Sequence, residues 1–85
     1  MLQCRLQKTT SNVSYGFDLR DDERGTYIGR VGRGLMAYRA GIRDGYRIVA
    51  VNGADMSGAG KETVGAMIKQ EPQCVDLVLV IEPDA

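Results

Sequence analysis

The segment SGAGKET (57–63) is the first place where this sequence could do chemistry, because many proteins hold nucleotide phosphates in a glycine-rich turn followed by lysine. That phosphate-binding turn has the pattern GxxxxGK[ST] directly after a buried parallel strand. Here Asp55 stands where the first glycine is required, and Glu62 stands where the hydroxyl residue is required. Glu62 would also place negative charge beside the phosphate oxygens. The segment is therefore not predicted to bind a nucleotide, and Lys61 needs another explanation.

A second segment, SYGFDL (14–19), has the residue types of an anion site. Gly16 lies between the aromatic residues Tyr15 and Phe17, after the polar run TTSNVS. Glycine allows consecutive backbone amides to turn the same way and form a nest that accepts an anion. Tyr15, Phe17 and Leu19 would form apolar walls beside that nest. Such a pair of features suits the C-terminal carboxylate and the last side chain of a peptide.

The composition excludes several other classes of function. The chain has 85 residues, 11 Lys and Arg, 11 Asp and Glu, and no histidine. Balanced charge disfavours nonspecific binding to nucleic acid, and the absence of histidine removes the commonest general base and zinc ligand. We expect a single noncatalytic domain over 1–85, with a core at about 2–81 and no cofactor or metal. The sequence has no apolar run long enough to span a membrane, so we expect a soluble, cytoplasmic protein. Cys4 and Cys74 could form a disulfide, but two cysteines in such a chain are a weak disulfide signal, and we expect free thiols.

Alternating apolar residues predict strands that position these segments. One strand contains Leu2, Cys4 and Leu6, the next contains Tyr15, Phe17 and Leu19 and ends at the turn DDERG, and a third covers Thr26 to Val31. A short helix is predicted between Leu35 and Ala40, with Gly41 as its left-handed cap.

The second half of the chain follows the same logic. The turns Asp44-Gly45 and Asn52-Gly53 bracket a buried strand, a helix is predicted from Lys61 to Gln70, and the segment CVDLVLVI is predicted to be an interior strand with Val75, Leu77, Leu79 and Ile81 on one face. The expected fold is mostly β with two helices, a partly opened antiparallel barrel or sandwich of about five or six strands.

Two segments resemble the PDZ domain family. SYGFDL is similar to the carboxylate-binding loop of PDZ domains, usually Gly-Φ-Gly-Φ, and AGIRDGYRIVAVNG is similar to their Ala-Gly-Leu-x-x-Gly-Asp-x-Ile-Leu-x-Val-Asn-Gly stretch. The order of elements also matches, so the resemblance covers about Leu2 to Ile81. The Tyr-Gly-Phe version and the opening LQCRLQK are similar to PDZ domains of sodium/hydrogen exchanger regulatory factor scaffolds. The sequence departs from the family pattern at Ser14, where glycine is common, and at Tyr46, where aspartate is usual.

The resemblance implies a module that binds the C-terminal peptides of partner proteins. The amides of Tyr15, Gly16 and Phe17 would hold the carboxylate, with Lys8 or a water as an additional partner. The walls of the pocket for the last side chain would be Tyr15, Phe17, Leu19 and Ile68. The ligand would add as a strand beside the segment from Phe17 to Arg20, opposite the predicted Lys61 to Gln70 helix.

Selectivity is where the resemblance leaves alternatives open. Lys61 stands where the commonest class of PDZ domain has a histidine, so it would favour an acidic or phosphorylated residue two before the ligand's end, or else lie in solvent. Gly65 would leave room for a bulkier ligand residue. Asp18 and Arg20 would read the penultimate and fourth-from-last residues, or simply be solvated.

The implied partners are tails of membrane receptors, channels or transporters at the cell cortex. The alternative ligands are internal peptide motifs or phosphoinositide headgroups, with weak lipid binding through Arg33, Arg39 and Arg43.

Overall fold

The strands of the described chain form one antiparallel sheet with two helices packed on it. The computed structural model describes residues 1–7, 15–70 and 74–81. Its elements are β1 (Leu2–Gln7), β2 (Phe17–Asp22), β3 (Gly25–Val31), α1 (Met36–Arg39), β4 (Arg47–Val51), β5 (Ala54–Asp55), α2 (Lys61–Gln70) and β6 (Cys74–Val80). The sheet order is β1-β6-β4-β3-β2, and β5 pairs with β4. The strands β1 and β2 are therefore the two ends of the sheet path.

The predicted fold class is confirmed, and most elements lie where the sequence pattern put them. The bounds of α2 agree with the prediction, and the interior position of β6, between β1 and β4, was expected from its apolar run. Gly41 follows the short helix α1 with a φ of 96°, the left-handed conformation expected of a cap. The predicted loop TTSNVS and Lys8 lie outside the described residues.

Four details differ from the prediction. Tyr15 precedes β2 instead of belonging to it, and β2 continues to Asp22, inside the segment predicted as a turn. The two-residue strand β5 was not predicted. Ile81 lies beyond β6 and is 55% exposed, so it does not share the buried face of that strand. These errors concern strand ends, which depend on the hydrogen bonds a strand finds and not on its own apolar pattern.

The core lies between the sheet and α2. Alternate residues of β6 are buried, and Val64 and Ile68, one helical turn apart, bring one face of α2 against the sheet. The fully buried side chains include Leu6, Ile28, Ile42, Ile48, Val51, Val64, Val75, Leu77 and Leu79. Met36 and Met67 pack against this cluster from its margin, as expected of flexible side chains that fill gaps.

A tight turn and a buried arginine fix the two ends of β4. Asn52 and Gly53 both have positive φ, which is the backbone of a two-residue hairpin between β4 and β5. At the other end of β4, the buried Arg47 donates hydrogen bonds to the Asp22 carboxylate and to the Gly25 carbonyl at 2.8 to 3.1 Å. The hydrogen bonds from Arg47 lower the pKa of Asp22. The tip of the β2–β3 hairpin is thereby held on β4.

Cys4 and Cys74 are free thiols. Among the described residues, no cluster of three or more His, Cys, Asp or Glu could hold a metal ion. Across the same residues, neither helix combines the length and the apolar character that crossing a membrane requires.

Candidate functional site

The candidate site is the groove between the edge strand β2 and the helix α2, called here the β2–α2 groove. An added Cβ at Gly65 would lie 3.9 Å from Leu19 Cδ1, which puts this glycine on the wall facing β2. At the start of the helix, the Lys61 amide donates a hydrogen bond of 2.8 Å to Asp21 Oδ2. Strand and helix therefore lie side by side along the groove, in contact near Gly65 and joined at Lys61.

The main chain of β2 is directed into this groove. Phe17 pairs with Val31, and the bond that flanks this pair runs from the Gly32 amide to the Gly16 carbonyl at 2.9 Å. In an antiparallel ladder, a pair flanked in this way turns its own N–H and C=O groups away from the partner strand. The irregularity between Asp18 and Leu19 skips Gly29 on β3, so the alternation along β2 continues to Leu19. Phe17 and Leu19 thus present main-chain donors and acceptors at the sheet edge.

The amides of the loop before β2 point outward, as the free edge of β2 does. The Tyr15 carbonyl accepts a hydrogen bond from Ala37 N–H at 3.0 Å, and the Gly16 carbonyl accepts the one from Gly32. Because each peptide is trans, the following amides of Gly16 and Phe17 face the opposite way, away from α1 and β3. This arrangement has the form of an anion nest, and its binding of a carboxylate stays a prediction.

Gly16 is required by its surroundings as well as by its backbone angle. Its φ is 91°, and a Cβ added there would lie 2.7 Å from the Cβ of Leu35. A contact with a Cβ atom cannot be relieved by rotating the side chain that carries it. Leu35 also covers Gly32, whose added Cβ would lie 2.5 Å from Leu35 Cδ1. The half-exposed Leu35 is thus a support of the loop that sequence reasoning missed.

The four residues predicted to line a pocket differ in their burial. Tyr15 and Ile68 are 7% and 9% exposed and belong to the core, whereas Phe17 and Leu19 are half-buried and pack against it. The rings of Tyr15 and Phe17 stack with centroids 6.4 Å apart. Burial is the main cause that raises the pKa of the Tyr15 hydroxyl. Tyr15 therefore backs the apolar wall from inside, and Phe17 and Leu19 form its accessible part.

The predicted selectivity residues are divided between the groove and the outer face of the sheet. Lys61 begins α2 with an exposed side chain, and Gly65 lies one turn further along the groove. Asp18 and Arg20 are exposed residues of β2 at the alternate positions, on the face away from Phe17 and Leu19. The Arg20 side chain lies over Gly29, where an added Cβ would meet its Cγ at 2.6 Å. Lys8 lies outside the described residues.

Asp21 explains the position of Lys61, which the sequence left unexplained. A cation in the first turn of a helix is disfavoured by the helix dipole. The Asp21 carboxylate binds the first amide of α2 and brings negative charge to that same end. The signal was present in the sequence, because Asp21 continues the alternation of Phe17 and Leu19. What it lacked was any indication that the strand runs that far.

The three arginines proposed for lipid binding have different surroundings. Arg43 donates to the carbonyls of Tyr38 and Ile42, and its guanidinium lies 3.7 Å from the centroid of the Tyr38 ring. Arg33 and Arg43 border a hollow of about 350 Å³ that also contains the Asp44 carboxylate, so an acid offsets their charge. Arg39 is exposed at the end of α1.

The fold and this site define a small interaction domain built around an accessible sheet edge. A family model for the PDZ domain matches residues 3–81. The chain belongs to the PDZ domain family. PDZ domains are noncatalytic protein interaction modules, and this chain is therefore one of them and not an enzyme.

Two curated relatives agree with the narrower resemblance seen in the sequence. The chain is 36% identical over 76 residues to the Na(+)/H(+) exchange regulatory cofactor NHE-RF4 of Mus musculus, covering 84% of this chain and 15% of that protein. It is 31% identical over 83 residues to the Na(+)/H(+) exchange regulatory cofactor-like protein nrfl-1 of Caenorhabditis elegans, covering 96% of this chain and 18% of that protein. The chain thus spans less than a fifth of the length of either relative.

Solved structures share the fold at lower sequence identity. The PDZ domain of choanoflagellate SHANK1, bound to a GIRK3 peptide, superimposes with a TM-score of 0.84 at 23% identity, over 96% of this chain and 92% of that one. The PDZ domain of choanoflagellate GIPC gives a TM-score of 0.79 at 19% identity, over 100% and 96%. At these identities the likeness concerns the fold alone.

Proposed function

We propose that this domain binds the C-terminal peptide of partner proteins by adding it as an antiparallel strand to the edge of β2. The observation that carries the proposal is the hydrogen bond from the Gly32 amide to the Gly16 carbonyl, which directs the N–H and C=O of Phe17 outward. The ligand's main chain would bond to Phe17 and Leu19. Such bonds give affinity independent of sequence, and alternate side chains give selectivity.

The end of the ligand is held by the loop in this proposal. The amides of Tyr15, Gly16 and Phe17 donate hydrogen bonds to the terminal carboxylate, and Lys8 is a further candidate partner. The last side chain enters the apolar region that Phe17 and Leu19 line, with Tyr15 and Ile68 behind them. The terminal residue then lies opposite Phe17, and the residue two before the end lies opposite Leu19.

Selectivity follows from the groove wall. The residue two before the end faces Gly65 and Lys61, where there is space for a large side chain and no histidine to bind a hydroxyl. Lys61 offers three ammonium donors, so an acidic or phosphorylated residue is favoured over serine or threonine. The exposed Asp18 lies on the other face, beside the penultimate ligand residue, and Arg20 lies beside the fourth-from-last residue.

The partners we propose are tails of membrane receptors, channels or transporters, met in the cytoplasm beneath the plasma membrane. The names of both curated relatives refer to regulation of Na(+)/H(+) exchange, and one structural relative was solved with a peptide bound. Phosphoinositide headgroups are the weaker alternative, because Arg43 donates a hydrogen bond within its own segment and Asp44 lines the same hollow. Internal peptide motifs are the other alternative, and they would use the same groove.

A pair of matched peptides tests the proposal. A peptide with a free carboxylate and an apolar last residue is expected to bind with micromolar affinity, about −8 kcal/mol. The same peptide with an amidated C-terminus is expected to bind at least tenfold more weakly, since it lacks the anion that the nest accepts. Fluorescence polarisation measures both. Equal affinity of the two peptides would reject carboxylate recognition.

A further inference from the structure

Asp21 and Asp22 are neighbours in the sequence with different surroundings. Asp22 accepts hydrogen bonds from the Arg47 guanidinium on both oxygens and from the Arg24 amide on one of them. Asp21 Oδ2 accepts a hydrogen bond from the Lys61 amide, and no described residue donates a hydrogen bond to its Oδ1. Asp22 therefore holds the hairpin, whereas Asp21 has a second oxygen, Oδ1, that can accept a hydrogen bond in the groove.

The direction of the Asp21 side chain is fixed by two contacts. Its Oδ2 reaches from β2 to the start of α2 and lies 2.8 Å from the backbone nitrogen of Lys61. A Cβ added to Gly60 would lie 3.2 Å from the same oxygen, so the absence of a side chain at Gly60 permits this close position. The segment before α2 is tied down independently, because Thr26 donates a hydrogen bond of 2.8 Å to the Ala59 carbonyl. The carboxylate is therefore held between strand and helix.

The register of the added strand then decides which ligand residue Asp21 meets. If the terminal residue lies opposite Phe17, the antiparallel pairing puts the fifth residue from the end opposite Asp21. Directly opposed side chains share one face of the sheet, with Cβ atoms about 4.5 to 5.5 Å apart. A ligand side chain at that position therefore lies within reach of Oδ1, and opposite charges stabilise such a pair.

We infer that Asp21 is a specificity residue of the β2–α2 groove and that it favours a ligand with arginine or lysine five residues from its C-terminus. The inference rests on the proposed function, because it uses the register of a bound C-terminal peptide. Lys61 would meet an acidic residue two before the end, so the groove selects a ligand with opposite charges at these two positions. Lys61 lies near the basic ligand residue as well, which limits the gain from Asp21.

Labelled octapeptides that all end in Ala-Ser-Ala-Leu and differ only at the fifth position from the end test this inference. At low ionic strength the wild-type domain should bind the arginine peptide about two- to fivefold more tightly than the alanine peptide, and the glutamate peptide more weakly than either. Asp21→Asn keeps an oxygen that can accept the hydrogen bond from the Lys61 amide and removes the charge, so the preference for arginine over alanine and glutamate should disappear.

Glu23→Gln is the matched control, because it removes one exposed charge from the turn of the same hairpin, outside β2. This variant should keep the wild-type order of the three peptides. An unchanged arginine preference in Asp21→Asn, or its loss in Glu23→Gln, would overturn the inference while leaving the proposed function intact. If the wild-type domain binds none of the free-acid peptides, the proposed function fails, and the inference fails with it.

Discussion

The two ends of the β2–α2 groove differ in the groups that they offer, main-chain amides at one end and charged side chains at the other. At the loop end, the groups proposed to face the ligand are main-chain amides, and their direction is set by carbonyls bonded to Gly32 and Ala37 and by the contact of Gly16 with Leu35. At the helix end, the groups are the exposed side chains of Asp21 and Lys61. We therefore expect the loop end to bind independently of ligand sequence and the helix end to supply small, salt-sensitive preferences.

The difference assigns separate tasks to the two ends. Main-chain amides recognise a carboxylate that every free C-terminus has, and they cannot distinguish one tail from another. Exposed charges contribute roughly 0 to 1 kcal/mol each, which is enough to rank ligands but too little to bind them. We therefore expect substitutions at the loop end to abolish binding and substitutions at the helix end to reorder ligands.

The largest expected effect is at Gly16. Gly16→Ala should reduce peptide affinity by about tenfold or more, equivalent to about 1.4 kcal/mol or more, because the new Cβ collides with Leu35 and displaces the amides. Gly34→Ala is the control, since Gly34 also has positive φ, 77°, but has nothing within 4 Å of an added Cβ. Both variants should lose stability through backbone strain of roughly 1 to 2 kcal/mol. Titration calorimetry and urea unfolding measure the two quantities, and similar affinities in both variants would show that the Leu35 contact is unimportant.

A smaller effect is expected at Gly65, where substitution should raise the stability of the domain and weaken the binding of some peptides. Gly65→Ala should stabilise the domain by roughly 0.8 to 1 kcal/mol, because alanine favours the helix and its Cβ makes only an ordinary contact with Leu19.

The same Cβ at position 65 narrows the groove, so peptides with a large residue two before the end should bind a few times more weakly than peptides with alanine there. Ala66→Gly is the control on the exposed side of α2, expected to lower stability without changing peptide order. Thermal unfolding measures the stability, and polarisation titrations measure the peptide affinities. If Gly65→Ala binds large and small residues in the wild-type ratio, Gly65 does not line the ligand site.

The smallest expected effect is at Lys61. The wild-type domain should prefer aspartate or phosphoserine over serine two before the ligand's end by up to about fivefold at low salt, and Lys61→Ala should remove that preference. The stability of the domain should change little, since the Lys61 contact with Asp21 uses the backbone amide, which alanine retains. Equal preferences in the two proteins would mean that the lysine lies in solvent.

The sequence was sufficient for the parts of the molecule that local chemistry determines. The Asn52-Gly53 turn, the cap at Gly41 and the bounds of α2 each follow from residues within a few positions of one another. The anion nest also rests on a local feature, Gly16 between two aromatic residues, and its role stays a prediction.

What the sequence did not reveal depends on partners far along the chain. Leu35 supports Gly16 from 19 positions away, and Asp21 caps a helix 40 positions away. Asp21 and Asp22 look equivalent as a charged pair, and only Arg47, 25 positions beyond Asp22, distinguishes the structural acid from the accessible one. Such contacts form after the strands are paired, so no pattern within the segment DDERG indicates them.

The most direct test of the account is amide hydrogen exchange with and without a C-terminal peptide. Strand addition to β2 predicts that the Phe17 and Leu19 amides become protected on binding, together with Gly16, while the amides of β1 at the opposite end of the sheet path do not change. An amidated peptide at the same concentration should protect none of them. Protection confined to β1, or equal protection by the free-acid and the amidated peptide, would contradict the account.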